Sequence, residues 1–318
     1  MRPRVRPRAR AKSAALSVLR RAVTIPPVRD MPPGRMVDLP GRGRTFVVDC
    51  PGPPGAPTLL LLHALACTAT LSWYPVIPEL SQQYRVVLFD QRWHGRGIRS
   101  KRFRLEDCAD DAVAVLDALG IDRAIVTGYS MGGSVAQLVW RRHPRRVEGL
   151  VLCATARNFR GKRREKLFFP VMSAAMLPLS YYASARVERL AATLPELPGP
   201  VTDDHRVWGR QEFRSTSAWS APAVLAALGT FNSAPWIGSV DVPTAVVVTT
   251  RDHTIPVRRQ RRLADAIPGA EVIEVDGGHG ALVLQADRFG PAVAAAASGV
   301  VARARERDGD PERLTRSG

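Results

Sequence analysis

From Thr45 onward, apolar residues arrive in short unbroken runs. Seven of these, rich in Val, Leu and Ile, stand at Thr45–Asp49, Thr58–Leu62, Arg85–Phe89, Ala124–Thr127, Val147–Cys153, Ala245–Thr249 and Glu271–Val275. Each has strand length and little alternation, the pattern of strands buried on both faces. Between them the apolar spacing turns helical over Leu105–Leu119, Met131–Arg142, Val257–Ala266 and Ala292–Ala302. Strands alternating with helices predict an α/β fold, a mostly parallel central sheet covered by helices on both faces.

Strand signals vanish over 156–240, and an insertion of that size in a regular α/β repeat predicts a helical cap or lid. The core is then split into 41–155 and 241–304, between an Arg/Pro-rich tail at 1–40 and a C-terminal tail at 305–318. Inside the insertion, Leu167 to Ala185 runs 19 residues without a charge. Pro170 and Pro178 interrupt it, so it reads as a pair of lid helices rather than a membrane span, or else as an ordinary apolar cap core. Just before it, Arg157 to Lys166 packs six basic residues around Glu165, a solvated face or a contact for anionic lipid.

Composition narrows the class. With 318 residues, 45% hydrophobic and 24% charged, the chain has globular proportions, which excludes wholesale disorder and a polytopic membrane protein. The net charge of +17 suggests an anionic partner, but residues 1–35 hold ten basic groups and one acid, so +9 lies in the tail and +8 in the remaining 283 residues. No aromatics are interleaved with the basic residues to stack bases, so no nucleic-acid partner is expected. Weak peripheral contact of the tail with an anionic membrane is expected instead. Cys50, Cys67, Cys108 and Cys153 form no metal or redox spacing and read as buried free thiols of a reducing compartment. The apolar stretch Ala14–Leu19 ends at Arg20-Arg21 with no small-residue cleavage site, so the expected location is cytoplasmic, with membrane contact at most peripheral.

The chemistry centres on Gly128-Tyr129-Ser130-Met131-Gly132, a G-x-S-x-G placed between a predicted strand and a predicted helix. A nucleophile projecting from the top of a sheet needs a sharp turn, and glycines on either side let strand and helix approach. Ser130 is the candidate nucleophile. A serine needs a base and the base an orienting acid. His279, in the glycine-rich loop Gly277-Gly278-His279-Gly280 after the last strand, is the candidate base. Asp252, directly after the strand ending at Thr249, is the candidate acid, while Asp276 reads as closing the histidine turn.

These residues make the chain resemble the α/β-hydrolase family over about residues 45–300. Asp90-Gln91-Arg92-Trp93-His94-Gly95-Arg96-Gly97 is similar to the family's D-x-R-G-x-G loop, and His63-Ala64-Leu65 stands where the family carries its H-G loop. The resemblance implies an oxyanion hole made by the backbone N–H groups of Met131 and Leu65, and neither metal nor organic cofactor. Ala64 and Trp93 replace glycines of the family pattern, so both loops are expected to deviate in path.

The implied reaction is acyl transfer through a covalent intermediate, with a small-molecule carboxylic ester carrying an apolar acyl part as substrate. A cofactor-free perhydrolase or haloperoxidase, or a C–C bond hydrolase, would use the same residues. A small-molecule sensor of the same fold is the non-enzymatic alternative, which an intact triad disfavours. Epoxide and haloalkane hydrolases would need a carboxylate where Ser130 stands, and are excluded.

Overall fold

A computed structural model describes residues 32–159, 212, 215 and 221–308. Among the described residues eight strands form one sheet: β1 (Arg35–Leu39), β2 (Gly43–Cys50), β3 (Thr58–Leu62), β4 (Arg85–Phe89), β5 (Ala124–Tyr129), β6 (Val147–Cys153), β7 (Thr244–Thr249) and β8 (Glu271–Val275). Their order across the sheet is β1-β2-β4-β3-β5-β6-β7-β8. The β1·β2 and β2·β4 pairs are antiparallel and the remaining pairs are parallel.

Eight helices are described: α1 (Ala69–Trp73), α2 (Ile77–Leu80), α3 (Leu105–Ala118), α4 (Met131–Arg142), α5 (Ala221–Thr230), α6 (Val257–Ala264), α7 (Ala281–Leu284) and α8 (Ala286–Asp308). They pack on opposite faces because successive strand residues point opposite ways. Leu60 and Leu62 of β3 join Val113, Val135, Val224 and Leu263 on one face. Leu59 and Leu61 join Trp73, Leu80, Phe289 and Val293 on the other. Both alternating sets of β3 are fully buried, which is why the central strands lack polar alternation.

Three boundaries differ from the sequence reading. Residues 35–39, expected in the tail, form β1, an edge strand whose outer positions are exposed and which pairs Arg35 with Val47 through Leu39 with Gly43. An edge strand buries little, so its apolar signal is weak. At the other end, α8 begins at Ala286 and runs to Asp308, past the expected end of the core at 304. Charged residues such as Arg303 and Arg305 are good helix formers and do not end it. Phe159, Val224, Leu228 and Ile237 belong to the sheet's core although they lie within 156–240, so the described ends of the expected cap pack as core. Residues 1–31 of the basic tail, the apolar stretch 167–185 and most of the basic run 157–166 lie outside the described residues. Among the described residues no helix is long and apolar enough to cross a membrane.

Candidate active site

Parallel strands deliver their following loops to one edge of the sheet, and ligands bind at such edges. Ser130 follows β5, Asp252 follows β7 and His279 follows β8, so the three candidates meet there from three separate loops.

The Ser130 turn is built by close approach. Ser130 has φ 53° and ψ −112°, a strained conformation for a residue with a side chain. Its N–H donates to the Cys153 carbonyl at 2.9 Å, and its own carbonyl accepts from Thr155 Oγ1 at 2.8 Å and from the Gly133 amide at 3.0 Å. A Cβ on Gly128 would lie 2.2 Å from the Gly132 carbonyl oxygen, and one on Gly132 would lie 2.1 Å from the Leu62 carbonyl oxygen. Both glycines are therefore steric requirements of the turn. Ser130 stands at the N-cap of α4, yet its side chain caps no amide, which leaves Oγ for another partner.

That partner is His279, whose Nε2 lies 2.9 Å from Ser130 Oγ. On the other side of the ring, Nδ1 lies 2.7 Å from Asp252 Oδ2. The Asp252 side chain is fully buried, whereas His279 is 23% exposed. Burial alone raises the Asp252 carboxyl, but the His279 hydrogen bond and charge, the Ile255 amide and the Thr249 hydroxyl outweigh it and hold it below the ordinary carboxylate value. An ionised carboxylate only accepts, so Nδ1 carries the proton and Nε2 accepts from the Ser130 hydroxyl. Asp252 Oδ1 accepts from the Thr254 and Ile255 amides, each at 2.8 Å, which ties the acid to its loop.

Tyr129 braces the histidine loop. Its hydroxyl donates to the His279 carbonyl, and its ring packs 5.7 Å from the imidazole and 5.4 Å from Phe289, centroid to centroid. Asp276 does not touch His279 among the described contacts; it pairs with Arg251 at 2.6 Å and Arg288 at 3.4 Å on the surface.

Met131 opens α4, where a first-turn amide has no acceptor within the helix. Leu65 lines the same cavity as Ser130. Ala64 is not among the left-handed residues; in its loop that conformation falls on Ala66, at φ 58°. Trp93 does adopt a left-handed φ, 66°, and its burial compensates: the indole Nε1 donates to the Ser100 carbonyl at 2.9 Å and the ring packs on Phe103 at 5.6 Å. His63 lies between these loops, fully buried. Its Nδ1–H donates to the Ala64 carbonyl at 2.8 Å and its Nε2 accepts from the Gln91 amide at 2.9 Å.

The cavity at Ser130 and His279 measures about 790 Å³. Its wall is mainly apolar, with Leu65, Phe159, Leu228, Ile255, Leu282 and Val283 among its residues. Cys67, expected to be buried, is only partly so and lines this cavity, while Cys50, Cys108 and Cys153 are buried and all four are free.

A sequence profile described as alpha/beta hydrolase fold matches residues 57–197. The chain has the α/β-hydrolase fold. This α/β hydrolase is similar to a poly(3-hydroxyalkanoate) depolymerase of Ectopseudomonas oleovorans, 28% identical over 253 residues that cover 76% of this chain and 85% of the relative. Among solved structures it resembles an enol-lactonase from Burkholderia xenovorans LB400, with a TM-score of 0.65, 24% identity and coverage of 83% of this chain and 100% of the other. A thermophilic esterase from Thermogutta terrifontis superposes with a TM-score of 0.66 at 22% identity, covering 84% and 99%. These two structural likenesses speak for the fold.

Proposed function

We propose that this α/β hydrolase is a serine hydrolase that cleaves a carboxylic ester with an apolar acyl part. The observation that carries this reading is the continuous chain from Ser130 Oγ to His279 at 2.9 Å and from His279 to Asp252 at 2.7 Å, opening into an apolar cavity. The poly(3-hydroxyalkanoate) depolymerase to which the chain is similar supports a substrate with an ester carbonyl.

In this mechanism His279 Nε2 takes the Ser130 proton as Oγ attacks the ester carbonyl. The tetrahedral oxyanion is held by the Met131 and Leu65 amides, the former aided by the positive end of α4. Collapse expels the alkoxide, which takes the proton from His279 and leaves as the alcohol. Water then enters, loses a proton to His279 and attacks the acyl-enzyme, and the acid departs as Ser130 recovers its proton. Asp252 stays ionised throughout, keeping the imidazole in the required tautomer and stabilising the imidazolium. The cavity wall offers apolar contact to the acyl chain.

A series of p-nitrophenyl esters of graded chain length tests both parts of the proposal. Turnover is expected, rising with acyl length until the cavity is filled, and Ser130→Ala is expected to abolish it together with labelling by a fluorophosphonate. Persistent labelling in Ser130→Ala would refute the nucleophile.

A further inference from the structure

Asp252 is held by more than its own loop. The torsion that turns a carboxylate about its last carbon–carbon bond is broad, so burial alone does not decide which oxygen faces the histidine or how squarely. Oδ2, the oxygen that faces His279, also accepts from Thr249 Oγ1 at 2.9 Å and lies 3.3 Å from Gln260 Nε2. Thr249 is the last residue of β7 and Gln260 lies on α6; both are fully buried, and neither is among the residues lining the cavity.

The orientation of this cluster follows from counting donors. Gln260 Oε1 accepts the Thr249 amide at 3.0 Å, and Gln260 Nε2 donates to the Ile255 carbonyl at 2.7 Å. Those two backbone partners have opposite polarity, so the side-chain amide cannot be flipped without opposing like groups. Nε2 therefore also donates to Thr249 Oγ1, at 2.9 Å. The hydroxyl, already an acceptor there, has a single proton left to place. Gln260 Oε1 is 3.3 Å away and neutral, whereas Asp252 Oδ2 is 2.9 Å away and charged, so the proton goes to the carboxylate.

We propose that Thr249 and Gln260 are positioning residues for the Asp252 carboxylate, aiming Oδ2 at His279 Nδ1–H through a hydroxyl whose proton Gln260 directs. The inference rests on the catalytic reading of Ser130, His279 and Asp252, and it adds two residues that touch no substrate.

The test is a kinetic comparison of full-length wild type with Thr249→Val, Thr249→Ser and Gln260→Met on a p-nitrophenyl ester, alongside Ser130→Ala. Thr249→Val keeps the branched shape and removes the proton. It is expected to lower kcat about tenfold with KM within about twofold, as for loss of one hydrogen bond to a charged group. Thr249→Ser restores the hydroxyl and is expected within about twofold of wild type. Gln260→Met leaves the hydroxyl free to rotate and is expected to give the same split, at about threefold. In proton NMR, the far-downfield resonance of the His279 Nδ1–H, identified by its absence from Asp252→Asn, is expected to shift in Thr249→Val and return in Thr249→Ser. A kcat within twofold of wild type in Thr249→Val would overturn the proposal. Equal losses in Val and Ser variants would overturn it too, since they would trace to packing and not to the proton. Undiminished turnover in Ser130→Ala would instead sink the catalytic reading, whatever the threonine variants do.

Discussion

His279 Nε2 and Ser130 Oγ stand 2.9 Å apart although 149 residues separate them in the chain. Two sheet-edge loops create that contact, and a third brings Asp252 to the far side of the ring at 2.7 Å. Asp252→Asn is expected to fold and to lose about 10⁴-fold in kcat, because an amide presents a donor to Nδ1 and favours the unproductive tautomer. Steady-state kinetics on a p-nitrophenyl ester check this, and a loss below tenfold would assign the orienting acid elsewhere.

The turn that carries Ser130 has no room for a methyl group. In Gly132→Ala the new Cβ would meet the Leu62 carbonyl oxygen at 2.1 Å, and that group is backbone and cannot swing aside. The variant is expected to lose stability by about 2 kcal/mol or more and to lose most of its activity. Gly55, with φ 73° and no atom within 4 Å of a Cβ, provides the contrast. Gly55→Ala is expected to cost only the about 1–2 kcal/mol of a left-handed alanine and to leave kcat unchanged. Chemical denaturation and kinetics on both variants separate steric from conformational cost.

Two buried histidines make the fold sensitive to acid. Burial pushes His63 down to about 4, and burial together with the charge of His63 pushes His94 down to about 3, from an ordinary 6.5. The rings lie 5.0 Å apart, and His94 Nε2 has no partner among the described residues. As pH falls below 6.5 the unfolded chain takes up protons that the native state refuses until about 4 and 3. Their contribution to stability is therefore full above 6.5 and declines as pH drops, by about 1.4 kcal/mol per pH unit for each histidine. Urea unfolding between pH 7 and 5 should show this slope in wild type and a slope about half as steep in His94→Phe. Identical slopes would show that His94 titrates alike in both states.

Leu228 is 6% exposed and lines the cavity near Phe159 and Ile255. Leu228→Trp shortens the space for an acyl chain without touching Ser130, His279 or Asp252. It is expected to reduce kcat/KM on longer-chain p-nitrophenyl esters about tenfold while leaving the acetate within twofold, since a hydrophobic pocket discriminates by about 1–3 kcal/mol per methylene. A uniform loss across chain lengths would place the acyl group elsewhere.

Some of this protein is legible without coordinates because the physics is local. β3, β4, β6 and β8 match the runs read from the sequence residue for residue, and α4 begins and ends where its pattern does. Continuous apolar runs have few places to go other than a sheet covered on both faces. The same holds for the glycine pattern around Ser130, whose spacing is a steric demand of one turn. It holds as well for the order serine, acid, histidine, which follows from where successive strand ends fall. β1 leaves no clear mark in the sequence because an edge strand with one buried face needs little apolar character. Of the two loops singled out by a replaced glycine, Trp93 itself takes the left-handed conformation, whereas in the His63 loop it falls on Ala66 and not on Ala64. Thr249 and Gln260 carried no readable signal. A threonine ending a β-branched strand and a glutamine in an arginine-rich helix are ordinary until the packing of α6 against β7 brings them to one carboxylate oxygen. Local sequence thus determined the elements and the chemistry at their ends, because sterics and burial act within a few residues. Tertiary structure decided which buried polar groups share protons, because a hydrogen bond is selected by distances of tenths of an ångström between segments far apart in the chain.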